Sequence, residues 1–187
     1  MARNSSDSST ESDETCIFCL IANDRDKETE IIKKNKELVC FKDIWPAAPH
    51  HYLVVPTQHI LSCFSLHRGH ISLVKRMAEM GRAVLHERGI TDMNDIRLGF
   101  HQPPFTSVDH LHLHVLAPAS QINKYLKFKF IPRTNNFVTE ERLRKRLKDI
   151  APPFKERRRA TNTSEENQDE PHGRSVFCVP CWDMTTP

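Results

Sequence analysis

The chain has 187 residues, 38% hydrophobic and 27% charged, with 27 basic and 24 acidic side chains for a net charge of +3. That length suits one domain with a sizeable core, and the modest apolar share leaves part of the chain as tail. No run of 18 apolar residues and no apolar stretch behind the start occur, which argues against a membrane span and a signal peptide. The cytosol is the expected compartment, with the nucleus second, and the six cysteines are expected as reduced thiols or metal ligands rather than a disulfide framework.

Residues 1–15 are Ser-rich and acidic and read as a disordered lead. Cys16 to Asn23 reads as a short helix, followed by strands at Glu30 to Lys33, Leu38 to Lys42 and Tyr52 to Val55, a meander separated by turn-formers and prolines. Ile71, Val74, Met77, Ala78, Gly81, Val84 and Leu85 recur at three- and four-residue spacing, which predicts an amphipathic helix ended by Gly89 at its C′ position. Met77 and Met80 belong to its packing face. Ile96 to Phe100 and His110 to Leu116 supply two more strands. Thr139 caps a basic helix over about 139–149 with Glu140 and Glu141 in its first turn, read as a solvated helix and stopped by Pro152 and Pro153. Residues 151–187 read as a disordered tail, in which Cys178 and Cys181 are taken as unstructured thiols. The lead carries −3 and the tail −1, so +7 falls on residues 16–150. A basic core suits an anionic ligand, but no basic stripe interleaved with aromatics marks a nucleic-acid groove.

The most informative stretch is His110-Leu-His112-Leu-His114-Val-Leu116. On a β-strand the three imidazoles share one face and the aliphatic side chains the other. At about 3.3 Å per residue the outer two stand roughly 13 Å apart, too far for one ion to take all three. Chemistry should therefore centre on His112. Three satisfied core histidines and a His-x-His metal pair are the competing readings.

The pattern resembles the histidine-triad superfamily, whose motif is His-φ-His-φ-His-φ-φ with φ apolar. Cys40-Phe-Lys-Asp43-Ile44, Pro46 through Pro49, His51-Tyr-Leu-Val-Val-Pro56-Thr-Gln-His59-Ile60 and Ser107 match its nucleotide-binding branch. Phe100-His101-Gln-Pro103-Pro104-Phe105 and Cys16-Ile-Phe-Cys19 point to the third type within that branch, which acts as an adenosine 5′-monophosphoramidase. The resemblance is close over 16–118, loose over 119–150, and covers neither tail.

The resemblance implies an α+β fold: an antiparallel sheet of about five strands with one long helix packed on it, continued across a homodimer or larger homo-oligomer. It implies cleavage of the P–N bond of purine nucleoside 5′-phosphoramidates, including aminoacyl-adenylate-like substrates, to AMP, with no cofactor required. His112 is the implied nucleophile, forming a nucleotidyl-histidine, its ring oriented from the neighbouring chain. His114 is the implied phosphoryl stabiliser, Ser107 the hydrogen-bond partner of the leaving amine or a phosphate oxygen, and His51 an orienting group behind the triad. Asp43 fits the ribose contact with Ile44 over the base, and Thr106 and His101 join the nucleotide set. His101 stands where shorter relatives have Asn, a departure that bears on leaving-group preference. Two alternatives stand beside this activity: a dinucleotide polyphosphate hydrolase, and a zinc-stabilised nucleotide-binding or scaffold protein with incidental catalysis.

Cys16 and Cys19 with His59 and His110 form a second constellation. Two thiolates and two imidazoles make a tetrahedral Zn²⁺ set, and some members of the superfamily bind zinc with matching positions. Such a site would be structural; the alternative is four residues that simply pack.

Overall fold

Period-2 alternation decides which residues of this chain go to which side of its sheet. In the computed structural model, which describes residues 15–150, the meander consists of β1 (Ile31–Lys34), β2 (Leu38–Lys42) and β3 (His50–Pro56). β3 pairs with β5 (Leu113–Ala117), and β5 with β4 (Arg97–His101). A sixth strand, β6 (Phe137–Thr139), closes the far side of β4. The sheet is antiparallel throughout, in the order β1-β2-β3-β5-β4-β6. The lead (1–14) and the tail (151–187), with Cys178 and Cys181, lie outside the described residues.

One face packs Leu38, Cys40, Val54, Leu113 and Val115 into the main core. The other face carries Val39, Phe41, Leu53 and Val55 against Phe18, Ile21 and Ala22 of α1 (Ile17–Ala22). His114 lies between Leu113 and Val115 in sequence and pairs with Leu53 and Gly99, so it belongs to this second face. Alternation thus puts the long helix on one side and the imidazoles on the other.

That long helix is α2 (Ile71–Glu87), with Leu73, Val74, Met77, Ala78, Met80, Gly81, Val84 and Leu85 all buried, as the three-and-four spacing predicts. It ends as expected at Gly89, whose φ is +83°. The Gly89 N–H donates to His86 O and the Ile90 N–H to Leu85 O, the paired bonds of a Schellman motif. A Cβ on Gly81 would meet Val115 Cγ2 at 2.6 Å, so the bare glycine lets the helix lie directly on β5. Among the described residues, no helix is long and apolar enough to cross a membrane.

The antiparallel sheet of about five strands is borne out, with six among the described residues: the sixth, three residues behind Asn135 and Asn136, is too short to show alternation and is held by pairing with β4. One expectation is corrected. The basic helix, α3 (Glu140–Asp149), is capped by Thr139, whose Oγ1 accepts from the Arg142 N–H at 3.4 Å, but it is not simply solvated. Leu143 and Leu147 are buried, and Glu140, 1% exposed, is bracketed by Arg82 and Arg144 at 2.7 Å each. A carboxylate that deep is tolerable only because both guanidinium groups meet it.

Gly99 sits where β4 meets β6, and a Cβ there would come within 2.5 Å of both the Phe137 ring and the Val138 carbonyl. Because backbone cannot yield as a side-chain tip does, Gly99→Ala is expected to cost about 1–3 kcal/mol in urea unfolding. An unchanged midpoint would show that β6 does not press on β4 as described.

Candidate active site

Strand β5 begins at Leu113, so His110, Leu111 and His112 precede it rather than continuing it. His112 Nδ1 lies 2.6 Å from the His110 carbonyl. A carbonyl only accepts, so the proton is on Nδ1 and the lone pair is on Nε2. The ring is therefore oriented by its own chain, in place of the neighbouring chain that the resemblance implied. His112 is 5% exposed, with the Phe18 ring edge-on at 5.3 Å. Burial pushes its pKa below the ordinary value, opposed by the His110 hydrogen bond and the Asp43 charge.

A second chain of hydrogen bonds fixes His114. The Ala47 N–H donates to His51 Nδ1 at 3.1 Å, so the His51 proton sits on Nε2. That Nε2 lies 2.9 Å from His114 Nδ1, which must then accept. The His114 proton is left on Nε2, and this buried atom has no hydrogen-bond partner among the described residues. Unmet buried donors are costly, and one beside a candidate nucleophile is what a phosphoryl oxygen would satisfy. Asp43 Oδ2 stands 3.4 Å from His51 Nε2 and 3.9 Å from His114 Nδ1. Burial pushes its pKa up, partly offset by the Trp45 N–H donating to Oδ1 at 2.8 Å.

His101 enters from β4. Its Nε2–H donates to the Lys129 carbonyl at 3.2 Å, and its ring lies 4.4 Å from that of His114. Burial first, and the neighbouring His112 second, push both His51 and His101 down to about 4. His114 is lowered well below its ordinary value, by burial first and then by the neighbouring His112, His101 and His51. All four imidazoles are therefore neutral at pH 7.

These groups border a cavity of about 600 Å³. Of the residues predicted from sequence, it brings together Asp43, His51, His101, Ser107 and His114. It does not bring Ile44, which is 81% exposed and off the wall; the turn closed by Asp43 and the Trp45 N–H presents Trp45 instead. His112 and Thr106 line a separate, far smaller pocket with His101 and Cys63, although the His112 and His114 rings are only 5.0 Å apart. Reading the sequence missed Trp45, Phe105, Leu126, Phe128, Lys129, Phe130 and Asn136 on the cavity wall. Most lie after Pro118, three of them in a short 3₁₀ helix (Lys127–Phe130), where only the alternating Lys127-Phe-Lys-Phe130 run offered a signal.

The other predicted constellation also assembles. One ligand atom each of Cys16, Cys19, His59 and His110 lies within 4.8 Å of the others. Cys19 Sγ is 3.1 Å from His59 Nδ1, and both sulfurs are 3.4 Å from His110 Nδ1. His110 Nε2–H donates to the Pro56 carbonyl at 2.9 Å, which leaves Nδ1 with its lone pair toward the thiols.

Residues 15–127 match the family model described as "Scavenger mRNA decapping enzyme C-term binding". The chain is 57% identical over 130 residues to the adenosine 5′-monophosphoramidase HINT3 of Danio rerio, covering 70% of this chain and 80% of that protein. It is 44% identical over 137 residues to the HINT3 of Mus musculus, covering 73% and 83%. A HIT family hydrolase from Clostridium thermocellum superposes with a TM-score of 0.51 at 28% identity, over 55% of this chain and 90% of that one. The chain belongs to the histidine-triad superfamily.

In this histidine-triad site the neutrality of the imidazoles has a thermodynamic consequence. His51 and His101 bind protons near pH 4 when folded but near their ordinary 6.5 when unfolded. Between those values the unfolded chain holds more protons, so stability is complete above about 6.5 and falls as the pH drops toward 4. Asp43, shifted upward, acts in the opposite sense. A lower urea midpoint at pH 5 than at pH 7 is the expected outcome; an equal or higher one would contradict the assignment of neutral, buried rings.

Proposed function

We propose that this chain hydrolyses the P–N bond of purine nucleoside 5′-phosphoramidates, adenosine foremost, releasing the nucleoside monophosphate and the free amine. The observation that carries the reading is the 2.6 Å bond from His112 Nδ1 to the His110 carbonyl, which leaves Nε2 as the attacking lone pair. The names of the Danio rerio and Mus musculus relatives support the substrate class.

In the first step His112 Nε2 bonds to phosphorus and the P–N bond breaks, its electron pair leaving on the amine, which takes a proton through Ser107 or water. The His114 Nε2–H, otherwise without a partner, donates to a phosphoryl oxygen as negative charge builds there. In the second step water attacks phosphorus, the N–P bond returns its pair to His112, and the monophosphate departs with the water's oxygen. Asp43 accepts from the ribose hydroxyls, and the Trp45 and Phe128 side of the cavity takes the base.

Cys16, Cys19, His59 and His110 fit Zn²⁺: their donors converge, and the Pro56 carbonyl holds His110 in the tautomer a ligand needs. Bound there, the ion would supply a structural cross-link with all four protein positions filled. A homodimer is also part of the proposal. β6 covers β4, so a sheet continued across a two-fold axis would run through β1 or β6.

His112→Asn is expected to lower turnover of an adenosine phosphoramidate by several orders of magnitude while AMP affinity stays within a few-fold. His114→Ala should lose about 2–4 kcal/mol of transition-state stabilisation, less than His112→Asn. Rapid quench with radiolabelled substrate should trap acid-labile label on His112; label on another residue, or near-normal turnover without His112, would sink the mechanism. For the metal, elemental analysis should find about one zinc per chain, absent from a Cys16→Ser/Cys19→Ser double variant that melts at lower temperature. Metal-free wild-type protein straight from purification would remove it.

A further inference from the structure

The cavity wall holds a grouping that the hydrolytic reading does not use as a unit. One nitrogen each of His101, His112 and His114 lies within 4.8 Å of the others. Every other nitrogen of the three rings is already committed: His101 Nε2 to the Lys129 carbonyl, His112 Nδ1 to the His110 carbonyl, His114 Nδ1 to His51 Nε2. The atoms left facing one another are therefore His101 Nδ1, His112 Nε2 and His114 Nε2. The last is buried and unpartnered, so the polar atom at the centre of the group is itself unsatisfied.

We propose that these three imidazoles form a second metal site, for a divalent d-block cation of the Zn²⁺ class, and that its occupancy switches the hydrolase off. Three neutral imidazoles with a fourth position left open are a donor set this class of ion accepts, at about 2.0–2.1 Å per nitrogen. Two of the rings stand two residues apart and the third comes from β4, which pairs with β5 through Gly99 and His114. His101 and His114 border the large cavity, where a water or small anion can take the fourth position.

Binding asks for one internal rearrangement. The His114 proton passes from Nε2 to Nδ1; because the His51 Nε2–H already faces that atom at 2.9 Å, the two rings must part so that both N–H groups turn to Asp43 Oδ2, which stands 3.9 Å from His114 Nδ1 and 3.4 Å from His51 Nε2 before they move. Asp43 then stands behind His114 as the carboxylate partner that metal-bound imidazoles usually have. No proton is lost and no redox step is needed. The rearrangement makes this site weaker than the thiolate-bearing set of Cys16, Cys19, His59 and His110, so it fills second. Once filled, it removes the His112 lone pair on which attack depends. His101 is the residue that makes the site possible, because an amide at 101 leaves only two imidazoles.

The test is a Co²⁺ titration of the full-length protein as purified, read by optical absorption. One equivalent should bind with ligand-field bands and no thiolate charge-transfer band, separating this site from the cysteine set. In His101→Asn the affinity for that equivalent should fall by at least about 100-fold, beyond the roughly 10- to 100-fold that partners behind a ligand are worth. His112→Asn should lose it too, with thermal melts showing both variants folded. No thiolate-free equivalent in the wild type, or one retained in both variants, overturns the proposal. Saturating AMP should also displace the ion; if the variants lose Co²⁺ while AMP leaves it bound, the metal site stands and the nucleotide reading of the cavity falls.

Discussion

The hydrogen bond from His112 Nδ1 to the His110 carbonyl is the constraint on which the rest of the site depends. It converts an imidazole with two possible tautomers into one with a lone pair in a fixed direction. It is also made by a residue whose side chain belongs elsewhere. The His110 ring donates to the Pro56 carbonyl and turns its other nitrogen to Cys16 and Cys19. One residue thus ties the N-terminal helix, the end of β3 and the reactive ring together, so disturbance of the cysteine cluster reaches His112 through a single peptide unit.

Neutrality is the second condition, and burial supplies it. An imidazolium at 112 has no lone pair to use, and one at 114 would compete with its neighbours in a low-dielectric setting. His114 packs against the rings of His51, His101, His112 and Phe130, and this burial leaves little water to stabilise its charged form. The sheet makes this crowding affordable, because its opposite face buries α2 through Gly81 and Val115 and carries most of the apolar packing.

Much of this was legible in the residues. The helix α2 and its end at Gly89 follow from spacing and from the one residue type that takes positive φ at no steric cost. The cap at Thr139 follows from local chemistry, the shared face of the triad from strand alternation, and the Cys16, Cys19, His59 and His110 set from the family resemblance. What stayed hidden depends on tertiary placement. β6 exists because β4 offers it partners, and Glu140 is buried because Arg82 of another helix reaches it. Trp45, rather than Ile44, meets the cavity because a turn at Asp43 reverses the chain. The wall at Leu126 and Phe128 to Phe130 shows a short Lys-Phe alternation, but that pattern does not say what it faces; only the fold places it against His114. The orientation of His112 was expected from a partner chain, and a bond between residues two apart supplies it instead.

The central claim is a pattern of proton positions, and ¹⁵N-detected histidine NMR reads it directly in the free protein at pH 7. The account requires His112 protonated on Nδ1 alone, and His51 and His114 protonated on Nε2 alone. A His112 resonance showing an Nε2–H tautomer, or an imidazolium with both nitrogens protonated, would contradict it.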